Sequence, residues 1–556
     1  MEVPPAPSPT GTAAPGAGGR GWLVPLLVLI SGMLMALLDM TIVNVAIPRI
    51  QTDFGASTDE IQWITTAFNL ALGVVVPLSG WLSDRFGTTR VYLISLVGFS
   101  IASILCGLAW DLNSMIVFRV LQAIPGGIIP VVTMTMLYAI VPRDQMGSAM
   151  GLYGLGVVFG PAIGPTLGGY LVEYVDWRLI FFINAPIGVL GTVAGVALLP
   201  KLPATAKRPL DWWGFATAGF GLFALLLAFS KAEDWGWSSY KVLILVTAGV
   251  FSLAFFVVIQ LGIENPLIDL RVFKNWMYVN SLLLIIVLMV GLNAVLFYLP
   301  LYMQTNLGIQ PLDTGLILLP EAIVMGILMP IAGPLYDRFG PRWPGVIGLT
   351  IASVGGFMLC GIGPSVSNND IVLWTVIRAA GNGLALMPIM TAGLAAIPPH
   401  FTSAGSAMNN IAQRASASMG LAIMTAIATS QQGQLMADQS ALIPANSPAS
   451  VRMSEQGTSS MYGYYLQLQG MVTGRAYSNV FLVCALLTMV GIVLAFFMRK
   501  PPLPGPTESP EPFDSVPHGD HGDLAVARSG SASPADGPEL LQVPNAPVPV
   551  TTAIGR

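Results

Sequence analysis

Residues Gly80-Trp81-Leu82-Ser83-Asp84-Arg85-Phe86-Gly87 return 253 positions later as Gly333-Pro334-Leu335-Tyr336-Asp337-Arg338-Phe339-Gly340. Each copy closes a long apolar run and is followed by a further basic residue, Arg90 in the first and Arg342 in the second. An Asp at the C-terminal end of a helix faces the negative end of the helix dipole. Asp84 and Asp337 therefore need compensation from Arg85, Arg90, Arg338 or Arg342, or from the N-terminus of another helix. Gly87 and Gly340 permit the tight turn that follows. A single loop of this kind is a plain helical hairpin, but two copies are a duplication. Arg119 and Arg378, each a few residues into an apolar run and offset by 259, form a second matching pair.

The rest of the chain fits a repeat built of apolar helices. Of its 556 residues 54% are apolar and only 9% charged, with a mean hydropathy of +0.72. An ordinary soluble domain carries about 25% charged residues, so a water-soluble globule is excluded. Stretches long enough, at ~1.5 Å per residue, to cross a ~30 Å hydrocarbon core fall near 22–47, 60–82, 90–110, 113–140, 147–172, 178–199, 212–230, 241–261, 277–301, 313–335, 343–363, 371–396, 403–428 and 477–498. The expected fold is an all-α membrane protein with fourteen transmembrane helices. Two six-helix pseudo-repeat bundles, 22–199 and 277–498, flank two inserted central helices in 200–276.

Basic residues in short loops favour the cytoplasmic side. With the N-terminus inside, thirteen Lys and Arg lie near the membrane on the cytoplasmic side and six outside, which predicts a multi-pass protein of the cell membrane with both termini cytoplasmic. Trp22, Trp81, Trp110, Trp177, Trp212 and Trp343 stand at span ends, where the indole prefers the interface. Residues 1–21, rich in Pro, Ala and Gly, read as a disordered cytoplasmic N-terminus, and 499–556 as a disordered cytoplasmic tail. The polar stretch 429–476 reads as an external loop. Seven acidic residues in the tail account for the net charge of −4, and nucleic acid is not an expected partner. Cys106, Cys360 and Cys484 lie in apolar segments, and His400, His518 and His521 lie outside them. No metal site, cofactor or nucleophile–base pair is predicted, so the chain does not read as an enzyme.

Five formal charges sit inside spans: Asp39, Arg119, Glu321, Arg378 and Arg414. Intramembrane charges are unfavourable, and they mark either a functional site or a structural ion pair. Asp39 belongs to Leu38-Asp39-Met40-Thr41-Ile42-Val43-Asn44-Val45-Ala46-Ile47-Pro48, and Glu321 to Leu318-Leu319-Pro320-Glu321-Ala322. Burial without a fixed cation disfavours an ionised carboxyl. Glu321 is thus a candidate to bind and release a proton, or else a permanently neutral or Arg-paired group. Helical rise puts Asp39, Arg119, Glu321 and Arg378 roughly 9–14 Å below the outer face, in one layer.

Three more segments stand out. Arg119 begins Arg119-Val120-Leu121-Gln122-Ala123-Ile124-Pro125-Gly126-Gly127. The fifth run carries Gly156, Gly160, Gly164 and Gly168 with Pro161, Pro165 and Gly169. That ladder leaves one helix face almost without side chains, so another helix can come close, while the prolines bend the rod. The penultimate run is polar, Asn409-Asn410-Ile411-Ala412-Gln413-Arg414 continuing to Gly420.

Together these segments resemble the major facilitator superfamily, in particular its fourteen-span drug:proton antiporters of the bacterial multidrug efflux type, over about residues 22–498. The resemblance implies that the two loops are inner-gate latches (Gly80, Asp84, Arg85, Gly87 and Arg90; Asp337, Arg338 and Gly340), with Thr88 and Thr89 where the family usually carries basic residues. Arg119 matches the proton-linked arginine of the fourth span, with Ala123 in place of a Gly. The double Gly-Pro of the fifth span matches the antiporter motif. Asn44, Arg378, Asn410 and Arg414 are then cavity or substrate residues. The expected activity is proton-coupled efflux of lipophilic, often cationic, drugs or toxic compounds by a monomer, powered by a proton gradient without a cofactor. Asp39 and/or Glu321 would carry the proton and Arg119 would tune the acid. Transport of an endogenous metabolite or lipid on the same fold is the alternative.

Overall fold

In hydrocarbon an unpaired backbone N–H or C=O has no water to turn to, so apolar runs must close their hydrogen bonds as helices. The computed structural model describes residues 21–204, 209–363, 366–441 and 458–500. Within them lie fourteen helices of fifteen residues or more. They are α1 Leu23–Phe54, α2 Trp63–Phe86, α3 Thr88–Gly107, α4 Leu112–Ile140, α5 Met146–Tyr174, α6 Asn184–Leu198 and α7 Trp212–Trp235. The series continues with α8 Tyr240–Gly262, α9 Trp276–Thr305, α10 Pro311–Phe339, α11 Arg342–Leu359, α12 Asn368–Ala395, α13 Thr402–Ala441 and α14 Thr458–Phe496. Twelve are long and apolar enough to cross a membrane. The other two are α11, which opens on Arg342, and α13, kept polar by Ser403, Ser406, Asn409, Asn410, Gln413 and Arg414.

The stretch expected as an external loop, 429–476, is helical at both ends: α13 runs on to Ala441 and α14 already begins at Thr458. Hydropathy marks where a helix leaves hydrocarbon, not where its hydrogen-bond ladder stops. Gln431, Gln432, Leu435, Met436 and Ala437 are all sound helix formers. Residues 442–457 lie outside the described residues, as do the segments expected to be disordered, 1–21 and 499–556, apart from Gly21, Arg499 and Lys500. The tryptophans also divide. Trp110, Trp212 and Trp343 are exposed, but Trp22 and Trp177 turn inward. Their indole N–H groups donate to Gln145 Oε1 and Asp53 Oδ2, both at 2.7 Å, and a bonded indole is better buried than left at an interface.

Helices α1 to α6 pack chiefly among themselves: α1 lies against α5, α6 and α4, and α4 against α2 and α3. Helices α9 to α14 form a second set, with α12 against α10, α11 and α9, and α14 against α9, α11 and α13. The sets meet where α5 runs along α10 and where α2 runs along α13. Helix α7, paired with α8, lies over the second junction and touches both α2 and α13.

Candidate functional site

Asp39 sits in the middle of α1 with no exposed surface, and Arg119 on α4 reaches it, itself 1% exposed. Arg119 Nη1 donates to Asp39 Oδ2 at 2.6 Å and to Gln122 Oε1 at 2.7 Å. Gln122 Nε2 and Asn184 Nδ2 each donate to Asp39 Oδ1 at 3.0 Å. The guanidinium lies 3.9 Å from the centre of the Phe68 ring, a cation–π contact that strengthens away from water. The Asp39 carboxyl is thus held by three donors in a sealed pocket. That is the condition under which a charge pair persists in a low dielectric.

The second set contains a different pair. Arg378, on α12, donates through Nη2 to Glu321 Oε1 on α10, and no other hydrogen-bond partner of Glu321 is seen among the described residues. The Glu321 side chain is 17% exposed and that of Arg378 6%. Of the alternatives left open for Glu321, an arginine partner is the one present. The helices carrying the two residues pack together, a proximity that spacing along the chain could not reveal. The four charges expected in one layer are joined as two separate pairs, one in each helix set.

The remaining candidates scatter. Asn44 is exposed on α1. Asn410 turns back on its own helix, donating to the Ser406 carbonyl at 3.0 Å. Arg414 is partly buried, with Nε unpartnered and no ion pair among the described residues. Its neighbour Asn409 is fully buried with both polar side-chain atoms unpartnered.

The glycine ladder faces α1. A Cβ added at Gly156, Gly160, Gly164 or Gly168 would run into Ile30, Leu37, Thr41 or Ile42, whereas Gly169 faces open space. Close approach of α5 is thus part of what wraps the Asp39 segment.

At the end bearing the repeated loops, both aspartates meet helix N-termini. Asp337 Oδ1 accepts from Gly147 N at 2.8 Å, and its Oδ2 accepts from Ser148 N at 3.0 Å and Ser148 Oγ at 2.8 Å, all at the start of α5. Ser403, at the start of α13, donates through Oγ to Asp84 Oδ1 at 3.4 Å. Each aspartate therefore crosses from one helix set to the other, and at Asp337 the compensation is by the N-terminus of a foreign helix. Arg338 and Arg342 lie instead over Phe339 and Phe496. Arg85 packs on Trp81, and Arg90 is exposed. Gly87 and Gly340 have φ of 87° and 75°, as the tight turn requires. Gly80 is buried beside the Ser403 backbone, where an added Cβ would make ordinary contact. Thr89 binds the chain leaving α6, donating to the Pro200 carbonyl at 2.6 Å and accepting from Leu202 N at 3.1 Å. In the other copy Lys500, beyond α14, donates to the Asp337 carbonyl at 2.6 Å. Each loop is covered by the segment that leaves its own helix set.

Sequence reading missed Asn184 and Ser103, and it quoted Gln122 without giving it a role. The available signal was a lone amide in an apolar run, Asn184 within Phe181-Phe182-Ile183-Asn184-Ala185-Pro186.

Long apolar helices carrying buried, paired charges define a multi-pass membrane protein of the transporter class. The sequence profile of the Major Facilitator Superfamily matches residues 29–421, and the chain belongs to that superfamily. YhcA of Bacillus subtilis (strain 168), described as an uncharacterized MFS-type transporter, is 37% identical over 406 residues, 73% of this chain and 76% of that protein. The tetracenomycin C resistance and export protein of Streptomyces glaucescens is 30% identical over 433 residues, 77% of this chain and 80% of that one. Among solved structures, the proton:xylose symporter XylE matches with a TM-score of 0.56 at 14% identity, over 85% of this chain and 96% of its own, a likeness of fold. The superfamily and fold are those of transporters, not enzymes.

Proposed function

We propose that this protein is a proton-coupled efflux antiporter of the cell membrane, exporting lipophilic, often cationic, compounds. The observation that carries the reading is the presence of two intramembrane acid–arginine pairs, one in each helix set, differing in accessibility. An antiporter needs an acid whose protonation and substrate occupancy exclude each other. Glu321, partly exposed and held by one arginine, is suited to that exchange in the conformation described, and Asp39 to loading in another. Arg119 and Arg378 tune the two acids, with Asn44, Asn410 and Arg414 on the substrate path.

The protein spans the bilayer fourteen times, as six-helix halves 22–199 and 277–498 with an inserted pair in 200–276, and works as a monomer with both termini cytoplasmic. The loops of Asp84 and Asp337 then face the cytoplasm, where their contacts with α13 and α5 hold the inner end shut. Outside acidity loads the carboxyl. Release of the latches opens the inner end, and a cation arriving there favours deprotonation. The export named for the Streptomyces relative supports the direction.

One feature favours a second reading, transport of a lipid. Between α5 and α10 lies a crevice of about 530 Å³ lined by Phe159, Ile163, Leu319 and Ile323 among others, with Thr166 and Tyr170 its polar-tipped residues.

Reconstitution in liposomes with a panel of lipophilic cations and lipids, with and without an imposed pH gradient, tests both. Gradient-dependent cation movement coupled to opposite proton flux is expected. Movement of lipid alone favours the second reading, and no movement of any solute overturns the first.

A further inference from the structure

Asn184 opens α6 and is fully buried. Its Nδ2 serves two acceptors, Asp39 Oδ1 and Ser103 Oγ, each at 3.0 Å, while its Oδ1, also buried, has no partner. Ser103 must be the acceptor, because its own hydroxyl donates to the Phe181 carbonyl at 2.8 Å. An unpaired buried acceptor is destabilising, so its place beside a titratable carboxyl calls for a reason.

The reason lies in what a carboxyl requires on gaining a proton. As an anion Asp39 only accepts; as an acid it must also donate one O–H. Of its three partners Arg119 can only donate. Gln122 has its Oε1 engaged by Arg119 at 2.7 Å and by Cys106 Sγ at 3.5 Å, so turning that amide would break both contacts. Asn184 alone has a carbonyl with nothing to lose. A half-turn of its amide puts Oδ1 where Nδ2 stood, and there it accepts the Asp39 O–H. The Ser103 hydroxyl can swing to the same oxygen, giving up its donation to the Phe181 carbonyl. The side-chain amide has one unpartnered end in either state, first the carbonyl and then the nitrogen.

The other groups around Asp39 cannot do this work. Arg119 from α4 is the charged group facing it and Cys106 from α3 the titratable one near the network. Helix α5 brings glycines to α1, and α2 brings the Phe68 ring to the guanidinium.

We propose that Asn184 is a positioning residue whose amide turns over when Asp39 gains its proton, allowing a carboxyl sealed from water to change charge. The inference rests on reading Asp39 as a proton carrier.

Infrared difference spectra of the purified full-length protein, recorded as pH is lowered, test it without any substrate. Acidification is expected to produce a carboxylic acid band that is absent from Asp39→Asn. With it comes a shift of a side-chain amide carbonyl band, as an orphan oxygen becomes an acceptor, and Asn184→Leu should abolish that shift. Asn184→Leu should also move the midpoint of the acid band by about one pH unit, a tenfold change in proton affinity. Asn184→Ser, which can both donate and accept, should restore the midpoint. An acid band without the amide shift, or an Asn184→Leu protein whose acid band keeps its midpoint and frequency, overturns the inference. Loss of any band sensitive to Asp39→Asn overturns instead the reading of Asp39 on which it rests.

Discussion

The two acid–arginine pairs have the same chemistry and opposite surroundings. Asp39 has three donors and no exposed surface; Glu321 has one arginine and a side chain 17% exposed. A charge removed from water persists only when fully bonded, and the first pair meets that condition at every carboxylate oxygen. The second pair meets it halfway and relies on access for the rest. Charge in Asp39 can therefore change only if a partner in its network rearranges. Charge in Glu321 can change by exchange with whatever enters its surroundings.

The sharpest way to break this contrast is to remove one partner from each pair. Arg119→Ala leaves Asp39 uncompensated in a sealed pocket and should destabilise the protein by about 3–5 kcal/mol. Arg378→Ala should cost clearly less, because Glu321 can draw on its open side. Unfolding of both variants in one detergent or lipid mixture checks the order, and equal losses would erase the distinction. The conservative pair Asp39→Asn and Glu321→Gln addresses function. Each should lower gradient-driven efflux tenfold or more, about 1.4 kcal/mol of barrier or more, while the purified protein stays folded. If both retain full efflux, the coupling mechanism is wrong.

The contrast itself was only half legible in the sequence. The repeated loops at Asp84 and Asp337, the glycine ladder and the five charges inside apolar runs stand out because each breaks a local rule of an apolar helix. The pairing of those charges does not, since it depends on which helices touch. Arg378 could be matched to Arg119 by position, but its contact with Glu321 joins residues on different helices. Asn184 was overlooked because an isolated amide in a span is usually a helix–helix hydrogen bond, and its meaning comes only from the carboxylate facing it. The helical ends of 429–476 were not legible for a different reason. Polarity there reflects exit from hydrocarbon, whereas Gln, Ala and Leu continue the helix.

The glycines sharpen the comparison at the level of backbone contact. A Cβ on Gly147 would overlap the Gly333 carbonyl and lie 2.7 Å from Tyr336 Cδ1, at the Asp337 contact between α10 and α5. Gly147→Ala should therefore destabilise the closed arrangement by about 1–3 kcal/mol, as overpacking does. Gly169→Ala, on the same helix but in open space, should fall within about 0.5 kcal/mol of wild type. Accessibility of a cysteine placed at the latch end, read by alkylation rate, checks the first; unfolding checks the second. A silent Gly147→Ala would mean that this junction is not what holds the end shut.

The smallest effect is expected at the start of α4, two turns before Arg119. Asp111 caps that helix, accepting the Ser114 backbone N–H at 2.8 Å, and Ser114 Oγ in turn accepts the Asp111 N–H at 3.1 Å. Hydrogen bonds from the Ser114 side chain and backbone hold the Asp111 carboxyl below its ordinary value of 3.8. A depressed folded-state value means that the cap's contribution is complete above the ordinary Asp range and is lost as pH falls below it. Amide exchange in the first turn of α4 should then rise below about pH 4, near the ordinary value for Asp, while the amides around Arg119 stay protected. Ser114→Ala should bring the onset to higher pH by removing the side-chain contact. If the Arg119 turn loosens together with the cap, the sealed pair depends on its helix end, and its apparent independence of the surface would have to be given up.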